Sequence, residues 1–381
     1  MNSETGMSIR SRWPDIETCE AKTPDPTGPC FQNSQNQSTF IPLTNNLVSL
    51  NSAGISNVMI TLSRTPEWAV ATLAQQTDQH CNYWNSNNAQ YGGACYAPTG
   101  PTTDQNYPHL HRDGTGDDQI WLYWVAAIAK WVNTPTLCND GKGDYCTNVK
   151  YWEIWNEFTR NTSDLNTNPQ THASWFSSQD PNIGCTNAPC PTIDQLIRMT
   201  EDARCVITGQ GYVDNYPNAG DHTLCATLEQ SPYNWPGPFD TTAEIVQPSV
   251  SYPGETASLN SLQCYLYCGT QVGQAACEAW NSSSKACLNT NGWPHASSAV
   301  DILNFHGYTL SGSQNPEEFF SSQSGAGSIS SFQGVLQGLD KNKPLWMGEG
   351  SFGNSLDSSE WWQDPYAQGG YVAKYLSLIH I

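Results

Sequence analysis

The sequence predicts an α/β fold, with a (β/α)8 barrel (TIM barrel) as the leading architecture and an open doubly wound sheet as the alternative. Apolar runs typical of buried strands alternate with segments of helical periodicity, as in βα units with a parallel sheet. The chain has 381 residues, a length at which α/β barrels form one domain. Long polar stretches at 72–116, 160–190 and 252–298 are predicted to be loops that follow strand ends.

The first elements alternate as helix, strand, helix and strand. Leucines recur at helical spacing in "LTNNLVSLNSAG", which Gly54 closes, and "NVMITLS" follows as a buried strand. The next helix, "DDQIWLYWVAAIAKWV", carries its large apolar residues on one face. "VKYWEIWNEF" is predicted to be the strand after it.

The later elements continue this alternation. "TIDQLIRMTEDA" begins with Thr192 and Gln195 at the spacing of a capping box, which predicts a helix start. Strands are predicted in "AEIVQPSV", "VDILNFHGY" and "KPLWMGEG", with a helix in "SFQGVLQGL" before the last of them. Because no repeat or linker divides the chain, residues 1–375 are interpreted as one domain with long disulfide-stapled loops.

The two ends of the chain are short for a complete barrel. After "KPLWMGEG", the segment "DPYAQGGYVAKYL" can form a helix, but almost nothing remains for an eighth strand. The closing "LSLIHI" (376–381) is also the translation of CTGTCTCTTATACACATC, a string similar to the transposase end used to prepare sequencing libraries. We therefore expect a non-native tail at 376–381 and a truncated barrel that lacks its eighth strand. Since "MSIRSRW" leaves little room, the first strand is doubtful.

Composition narrows the class of partner. The formal net charge is -20 at pH 7, and an acidic surface repels the phosphate backbone of nucleic acids. The sequence has no apolar run of about 18 residues, the length of a membrane-spanning helix. The 15 Trp and 17 Tyr could stack on sugar rings, although core packing must account for most of them. We expect a carbohydrate as substrate, and neither nucleic acid nor membrane as partner.

The cysteines indicate an oxidising compartment. There are 14, no C-x-x-C pair occurs, and most lie close together in loop-like sequence, as in secreted proteins with local disulfides. A secreted composition without a signal peptide in "MNSETGMSIRSRW" suggests an incomplete N-terminus. Proximity suggests five pairs, and Cys264, Cys268, Cys277 and Cys287 stay unassigned. The five pairs are Cys19 with Cys30, Cys81 with Cys95, Cys138 with Cys146, Cys185 with Cys190, and Cys205 with Cys225.

Polar residues that end apolar strands are the candidates for catalysis. In a βα barrel such residues form the active-site face. Asn156 and Glu157 end one strand, His306 and Tyr308 end another, and Glu349 ends a third. Two glutamates from separate strands can form the carboxylate pair of a glycosidase, one as general acid and one as nucleophile. For a retaining enzyme we expect the two carboxyl groups to lie about 5 to 5.5 Å apart.

These motifs resemble the retaining glycoside hydrolases of clan A. "WEIWNEF" is similar to the W-N-E-P segment of glycoside hydrolase family 39, and "RTPEWA" (64–69) resembles barrel sequence after a third strand. The likeness covers most of residues 40–375 in element order, with Phe158 where proline is usual and Gly350 after the nucleophile. The resemblance implies a secreted retaining glycosidase that cleaves β-linked polysaccharides or oligosaccharides by double displacement.

The resemblance also implies roles for individual residues. Glu157 resembles the acid/base, Glu349 the nucleophile, and Asn156 the residue that hydrogen-bonds the sugar 2-hydroxyl. His306 and Tyr308 are expected to orient Glu349 or to contact substrate. The structural alternatives are a turn cap for Asn156, a buried histidine for His306 and packing for Tyr308. Three further residues are expected to line the sugar site: Trp155, Arg64 and His111.

Glu153 lies on the same strand as the predicted acid/base. Its position before Asn156 and Glu157 predicts a side chain that points to the barrel interior. We interpret it as a structural residue paired with an arginine, because a buried carboxylate needs a partner. Three arginines are candidates for that partner: Arg10, Arg12 and Arg64.

Two other functions remain open. One is a carbohydrate-binding barrel without hydrolysis, against which the presence of both glutamates argues. The other is a metal-dependent hydrolase that uses His109 and His111 of "HLHRD". Because no third ligand has suitable spacing, a substrate-lining loop is the preferred interpretation of that segment. Neither a metal nor any other cofactor is expected.

Overall fold

The structure is a computed structural model. It describes residues 6–12, 16–19, 21, 23–70, 83–84, 90–91, 97–98, 110–111, 114, 116, 118–158, 192–211, 225, 237–251, 256–280, 296–309 and 342–352. The predicted helices at 331–339 and 364–376 and the tail at 376–381 lie outside these residues.

Helices are interspersed with strands along the described chain, without strict alternation. The strands are β1 (Gly6–Arg12), β2 (Asn57–Ser63), β3 (Tyr83–Trp84), β4 (Gln90–Tyr91), β5 (Val149–Ile154), β6 (Glu244–Val246), β7 (Val250–Ser251), β8 (Leu303–Thr309) and β9 (Leu345–Phe352). The helices are α1 (Ile41–Ser52), α2 (Gln119–Val132), α3 (Ile193–Thr208), α4 (Thr256–Tyr267) and α5 (Gln271–Trp280). A strand at Gly6–Arg12 corrects the doubt about the first strand, since β1 pairs with β2 over its whole length.

Two parallel sheets form the framework. One has the strand order β1-β2-β5-β6 and the other β7-β8-β9, and a separate antiparallel hairpin pairs β3 with β4. Each of α1, α2 and α3 connects two neighbouring parallel strands, so it runs back across the sheet from the carboxyl end of one to the start of the next. The four strands of the first sheet therefore end at a common edge, which we call the carboxyl edge.

The prediction of a TIM barrel, complete or truncated, is wrong, because the described parallel strands form two separate open sheets rather than one continuous barrel sheet. A closed barrel needs hydrogen bonds between its first and last strands. Within the described ranges, β1 and β9 lie at the outer edges of two different sheets and do not pair with each other. The sheets meet at an isolated parallel bridge between Val246 and Ile302.

Pro248 explains why β6 and β7 are separate strands. "AEIVQPSV" was predicted to be one strand, but proline has no N–H for the ladder and is rare in central strands. Beside it, the side-chain oxygen of Gln247 accepts a hydrogen bond from the backbone N–H of Asn304 at 3.2 Å. A side-chain hydrogen bond thus takes the place of a backbone ladder bond to Asn304. The N–H of Ser249 bonds to Glu153 of β5, and its hydroxyl and carbonyl bond to the turn after β5.

The prediction that residues 252–298 form a loop is also wrong, because they contain α4 and α5. The Ser, Asn and Cys content of this stretch suggested a loop. Its apolar residues Leu259, Leu262 and Leu266 nevertheless recur at helical spacing. The disulfide Cys264–Cys277 joins the two helices rather than a loop.

Disulfides close several short segments of the chain. Cys19–Cys30, Cys138–Cys146 and Cys205–Cys225 confirm three of the five pairs predicted from proximity. The predicted pairs of Cys81 with Cys95 and of Cys185 with Cys190 lie outside the described residues. No described cysteine has a free thiol.

Helix α3 lies at the centre of the helical layer, and each of its residues from Ile193 to Thr208 is buried. The predicted capping box is present: Thr192 accepts a hydrogen bond from the Gln195 N–H, and the Gln195 side chain accepts one from the Thr192 N–H. Trp121 of α2 donates to the Met199 carbonyl at 2.9 Å, and Thr200 shares a hydrogen bond with Tyr265 of α4. Helix α3 is therefore held between α2 and α4.

Glu201 is a buried carboxyl group in this helical layer. It is completely buried, and neither of its oxygens has a hydrogen-bond partner among the described residues. Burial raises the pKa of Glu201 well above its usual value, against the attraction of Arg198 and with a smaller contribution from Asp202 in the same direction. The folded protein therefore favours the neutral acid at this position.

The first prediction concerns Glu201→Gln. Because the pKa of Glu201 is higher in the folded than in the unfolded state, wild-type stability is retained below about pH 4.3 and lost as pH rises above it. The neutral amide avoids this loss. The melting temperature of the variant minus that of wild type should therefore be larger at pH 7 than at pH 4. Each unit of pKa difference corresponds to about 1.4 kcal/mol.

Circular dichroism melts at the two pH values test this, with Glu278→Gln on the exposed surface of α5 as the matched control. Equal differences from wild type at pH 4 and pH 7 would contradict the prediction.

Candidate functional site

Unusual backbone conformations mark the carboxyl edge at the ends of β2 and β5. Arg64, Trp155 and Glu157 have φ angles of 74°, 84° and 43°, in the left-handed region that side chains other than glycine rarely adopt. The N–H of Trp155 donates to the Leu62 carbonyl at 2.8 Å, which ties the turn after β5 to β2. Such conformations persist where surrounding contacts enforce them, and they cluster at functional sites.

Ser249 holds the turn that carries Glu157. The Glu157 N–H donates to the Ser249 hydroxyl at 2.9 Å, and the Phe158 N–H donates to the Ser249 carbonyl at 3.2 Å. The ring of Phe158 packs against Tyr265 of α4 with a centroid distance of 5.5 Å. Phe158 is the residue that stands in place of the proline of the W-N-E-P segment. The backbone of Glu157 is thus fixed from both the sheet and the helical layer.

The side chain of Glu157 reaches His306 of β8. Its Oε1 lies 2.9 Å from Nδ1 of the imidazole ring. The histidine side chain is fully buried, whereas the Glu157 side chain is 19% exposed. The carboxyl group therefore contacts a buried histidine and keeps access to the surface, as a group that exchanges protons with a substrate requires.

Glu153 is a buried carboxylate that joins three strand segments. Its oxygens accept hydrogen bonds from the Thr61 hydroxyl at 2.5 Å, the Ser249 N–H at 3.1 Å and the Asn304 amide at 2.9 Å. This geometry supports the expected structural position of Glu153. The pairing with an arginine stays a prediction, and the side chains of Arg10 and Arg12 lie outside those described.

A β-bulge places Glu349 opposite His306. Phe305 pairs with Met347 and His306 pairs with Glu349, so Gly348 is an extra residue in β9. The Asn304 side chain accepts a hydrogen bond from the Gly348 N–H at 2.8 Å while its amide nitrogen donates to Glu153. Asn304 therefore links the bulge before Glu349 to the buried carboxylate of β5.

Gly348 allows this close approach because it has no side chain. A Cβ added there would lie 2.6 Å from Oδ1 and 2.7 Å from Nδ2 of Asn304. The second prediction is that Gly348→Ala destabilises the protein by about 1 to 3 kcal/mol in urea unfolding, the usual cost of overpacking.

Asn304→Ala supplies the matched test by double-mutant cycle, since it removes the clashing amide. The costs of the two substitutions should then be less than additive in the double variant. Additive costs would show that the two residues do not act through this contact.

The two glutamates occupy positions compatible with a carboxylate pair. Glu157 contacts His306, and the register partner of His306 in β9 is Glu349. The side chain of Glu349 lies outside those described, so the predicted separation of 5 to 5.5 Å stays a prediction.

The other predicted site residues fall into several groups. Asn156 is buried, and Trp155 is completely buried in the core. The sugar contacts expected of both residues stay predictions. Arg64 is half-buried at the end of β2. The backbone of Tyr308 lies in β8, with its side chain outside those described.

His111 belongs to a segment that precedes α2. It is exposed, and its neighbour Leu110 accepts a hydrogen bond from the Gln195 side chain of α3 at 3.2 Å. Arg198 donates to the carbonyls of Gly114 and Gly116 in the same segment. Because the start of α2 lies at the carboxyl edge, the segment is anchored there.

Metal binding by His109 and His111 is the less favoured interpretation of the segment that contains them. Within the described parts of the chain, no group of three His, Cys, Asp or Glu side chains could hold a metal ion. His109 lies outside these parts.

Sequence reasoning missed Thr61, Ser249, Asn304 and the role of Gly348. Thr61 and Asn304 are polar residues within apolar strands, a pattern that signals a buried hydrogen-bond partner. Ser249 could have been suspected because it follows Pro248, which breaks the ladder. The bulge had no such signal beyond the glycine itself.

Comparisons with known proteins give no family assignment. No family model matches the chain, and no curated protein matches it. It is similar to a solved structure described as a conserved exported protein from Bacteroides fragilis, with 10% sequence identity and a TM-score of 0.37. The similarity covers 89% of this chain and 50% of that protein, so the chain spans half of its length. None of the described helices has the length and apolar character needed to cross a membrane.

Proposed function

We propose that this protein is a secreted, retaining glycoside hydrolase that cleaves β-linked polysaccharides or oligosaccharides. The observation that carries the proposal is the contact between Glu157 and His306, because His306 is the register partner of Glu349. The turn after β5 and the strand β9, each of which carries one of the two glutamates, thereby both border His306. The four described disulfides support secretion.

The reaction proposed for this site is a double displacement. Glu349 attacks the anomeric carbon while Glu157 donates a proton to the leaving oxygen, which takes the electrons of the broken glycosidic bond. Glu157 then removes a proton from water while the water oxygen attacks the anomeric carbon. The bond between the sugar and Glu349 breaks, and the carboxylate of Glu349 is regenerated. The partial exposure of Glu157 suits a group that must meet both the leaving oxygen and the water.

A turnover screen of the full-length chain tests the proposal. Aryl β-glycosides and polysaccharides are incubated with the protein, and the anomeric configuration of the first product is followed by NMR. Hydrolysis with retention is the expected result, and it should be lost in Glu349→Gln but kept in the surface variant Glu244→Gln. Glycan binding without turnover by the wild-type chain would instead indicate a carbohydrate-binding protein, and turnover that a chelator abolishes would indicate a metal-dependent hydrolase.

A further inference from the structure

His306 lies between two carboxylates that both come from β5 and the turn after it. Nδ1 is 2.9 Å from Oε1 of Glu157, and Nε2 is 3.9 Å from Oε1 of Glu153. The side chains of His306 and Glu153 are 0% and 1% exposed. Because solvent and salt screen a buried pair of this kind only weakly, a charge on Glu153 acts strongly on the ring.

The groups around His306 supply negative charge and neutral hydrogen bonds. Glu153 of β5 and Glu157 of the turn after it contribute two carboxyl groups, and the backbone of Glu349 in β9 pairs with that of His306. The neighbouring described residues of β2 and of the break between β6 and β7 are uncharged: Thr61, Gln247 and Ser249. Arg64 follows β2 at the same edge.

The hydrogen bonds around Glu153 favour its ionised form and oppose the effect of burial. Three donors point at its oxygens: a hydroxyl, a backbone N–H and an amide. Hydrogen bonds to a carboxylate favour the charged form over the neutral acid. A fixed negative charge on one side of His306 in turn favours a proton either on the imidazole ring or on Glu157, which contacts the ring at Nδ1.

We propose that Glu153 is a positioning residue that keeps one proton on the His306–Glu157 pair. This inference rests on the proposed function and deepens it, because the pair, rather than Glu157 alone, is then the acid/base. The proton passes from the pair through Glu157 to the leaving oxygen as the glycosidic bond breaks. The pair later recovers a proton from the attacking water, so its protonation is the same at the start and end of the cycle.

Glu153→Gln is the decisive variant because it removes the charge and keeps the shape. The amide oxygen can still accept from Ser249 and Asn304, and the Thr61 hydroxyl can accept from the amide nitrogen. The pKa of His306 is followed by NMR titration of the full-length chain, with its signal assigned by comparison with His306→Gln. The alkaline limb of the kcat/KM profile is measured on an aryl glycoside.

Both quantities should move down by about 1 pH unit in Glu153→Gln, since an opposite charge at this distance favours the protonated form. The control is Glu244→Gln on neighbouring β6, whose carboxylate forms a surface ion pair with Lys150 at 3.1 Å. It makes the same chemical change outside the site, so it should move neither quantity. A purely structural role of Glu153 would lower stability or rate without displacing the alkaline limb.

Each outcome separates this inference from the proposed function. An unchanged His306 pKa overturns the role of Glu153, and a lower pKa with an unmoved alkaline limb overturns the shared acid/base. If no glycoside is hydrolysed, the proposed function fails, and the NMR titration still decides whether Glu153 controls the charge of His306. If Glu153→Gln does not fold, the wild type decides: a His306 pKa below the ordinary value of about 6.5 overturns the inference.

Discussion

Replacing Glu349 with glycine is expected to reduce turnover by at least about 10⁴-fold, the scale of losses when a catalytic nucleophile is removed. Without the carboxylate no glycosyl-enzyme intermediate can form. The shortened side chain leaves room for a small anion in its place. Added azide should therefore restore part of the activity on aryl glycosides by attacking the anomeric carbon directly.

The stereochemistry of the rescued product makes this prediction specific. Azide attack is a single displacement, so the glycosyl azide should have inverted configuration, visible in the NMR coupling constant of its anomeric proton. The matched control is Glu349→Gln, which should be equally inactive but not rescued because its amide fills the space. Wild-type turnover in Glu349→Gly, or rescue with retained configuration, would exclude Glu349 as the nucleophile.

Much of the fold could be predicted because its elements depend on local patterns. Helices α1, α2 and α3 follow apolar periodicity and a capping box, and β2, β5, β8 and β9 follow apolar runs. The barrel was wrong because closure depends on pairing between distant strands. Alternation indicates that the strands are parallel but says nothing about whether the outer strands meet.

Helices α4 and α5 show a second limit of local patterns. Their cysteines and small polar residues are common in loops, and the density of cysteines suggested stapled loops here. Cys264 and Cys277 instead cross-link two packed helices. The apolar spacing was present but carried less weight than composition, although spacing reflects the buried face of a helix more directly.

For the candidate site, the residues could be predicted, but their contacts and their exact places in the strands could not. His306 and Glu349 were expected to end their strands, yet each lies within its strand, three residues before the end. Glu157 and His306 were expected at the carboxyl edge, yet the expectation for His306 was to orient Glu349 or contact substrate rather than to contact Glu157. That contact depends on the left-handed turn at Trp155 and Glu157, which no local pattern predicts. The Asn304 link likewise depends on the bulge at Gly348, and a bulge arises from the pairing of two strands.

Replacing Glu157 with alanine should change activity according to the leaving group of the substrate. A general acid contributes about 10² to 10⁴-fold when the departing oxygen needs a proton. A dinitrophenolate leaves without one, so its release should persist while hydrolysis of alkyl glycosides and oligosaccharides is lost. Because the second step lacks its base, a burst of dinitrophenolate should precede slow turnover, and azide should accelerate that turnover to give a product of retained configuration.

The structure makes this substitution a clean test of the carboxyl group. Residue 157 has a φ angle of 43°, and alanine has the same Cβ as glutamate, so the change adds no backbone strain. The hydrogen bond from the backbone of residue 157 to the Ser249 hydroxyl does not involve the carboxyl group and is kept. Glu157→Gln is the matched control, since its amide can preserve the contact with His306 while it supplies no proton. Both variants should show the same dependence on the leaving group; a uniform loss across all substrates would indicate that Glu157 binds or positions the sugar rather than transferring protons.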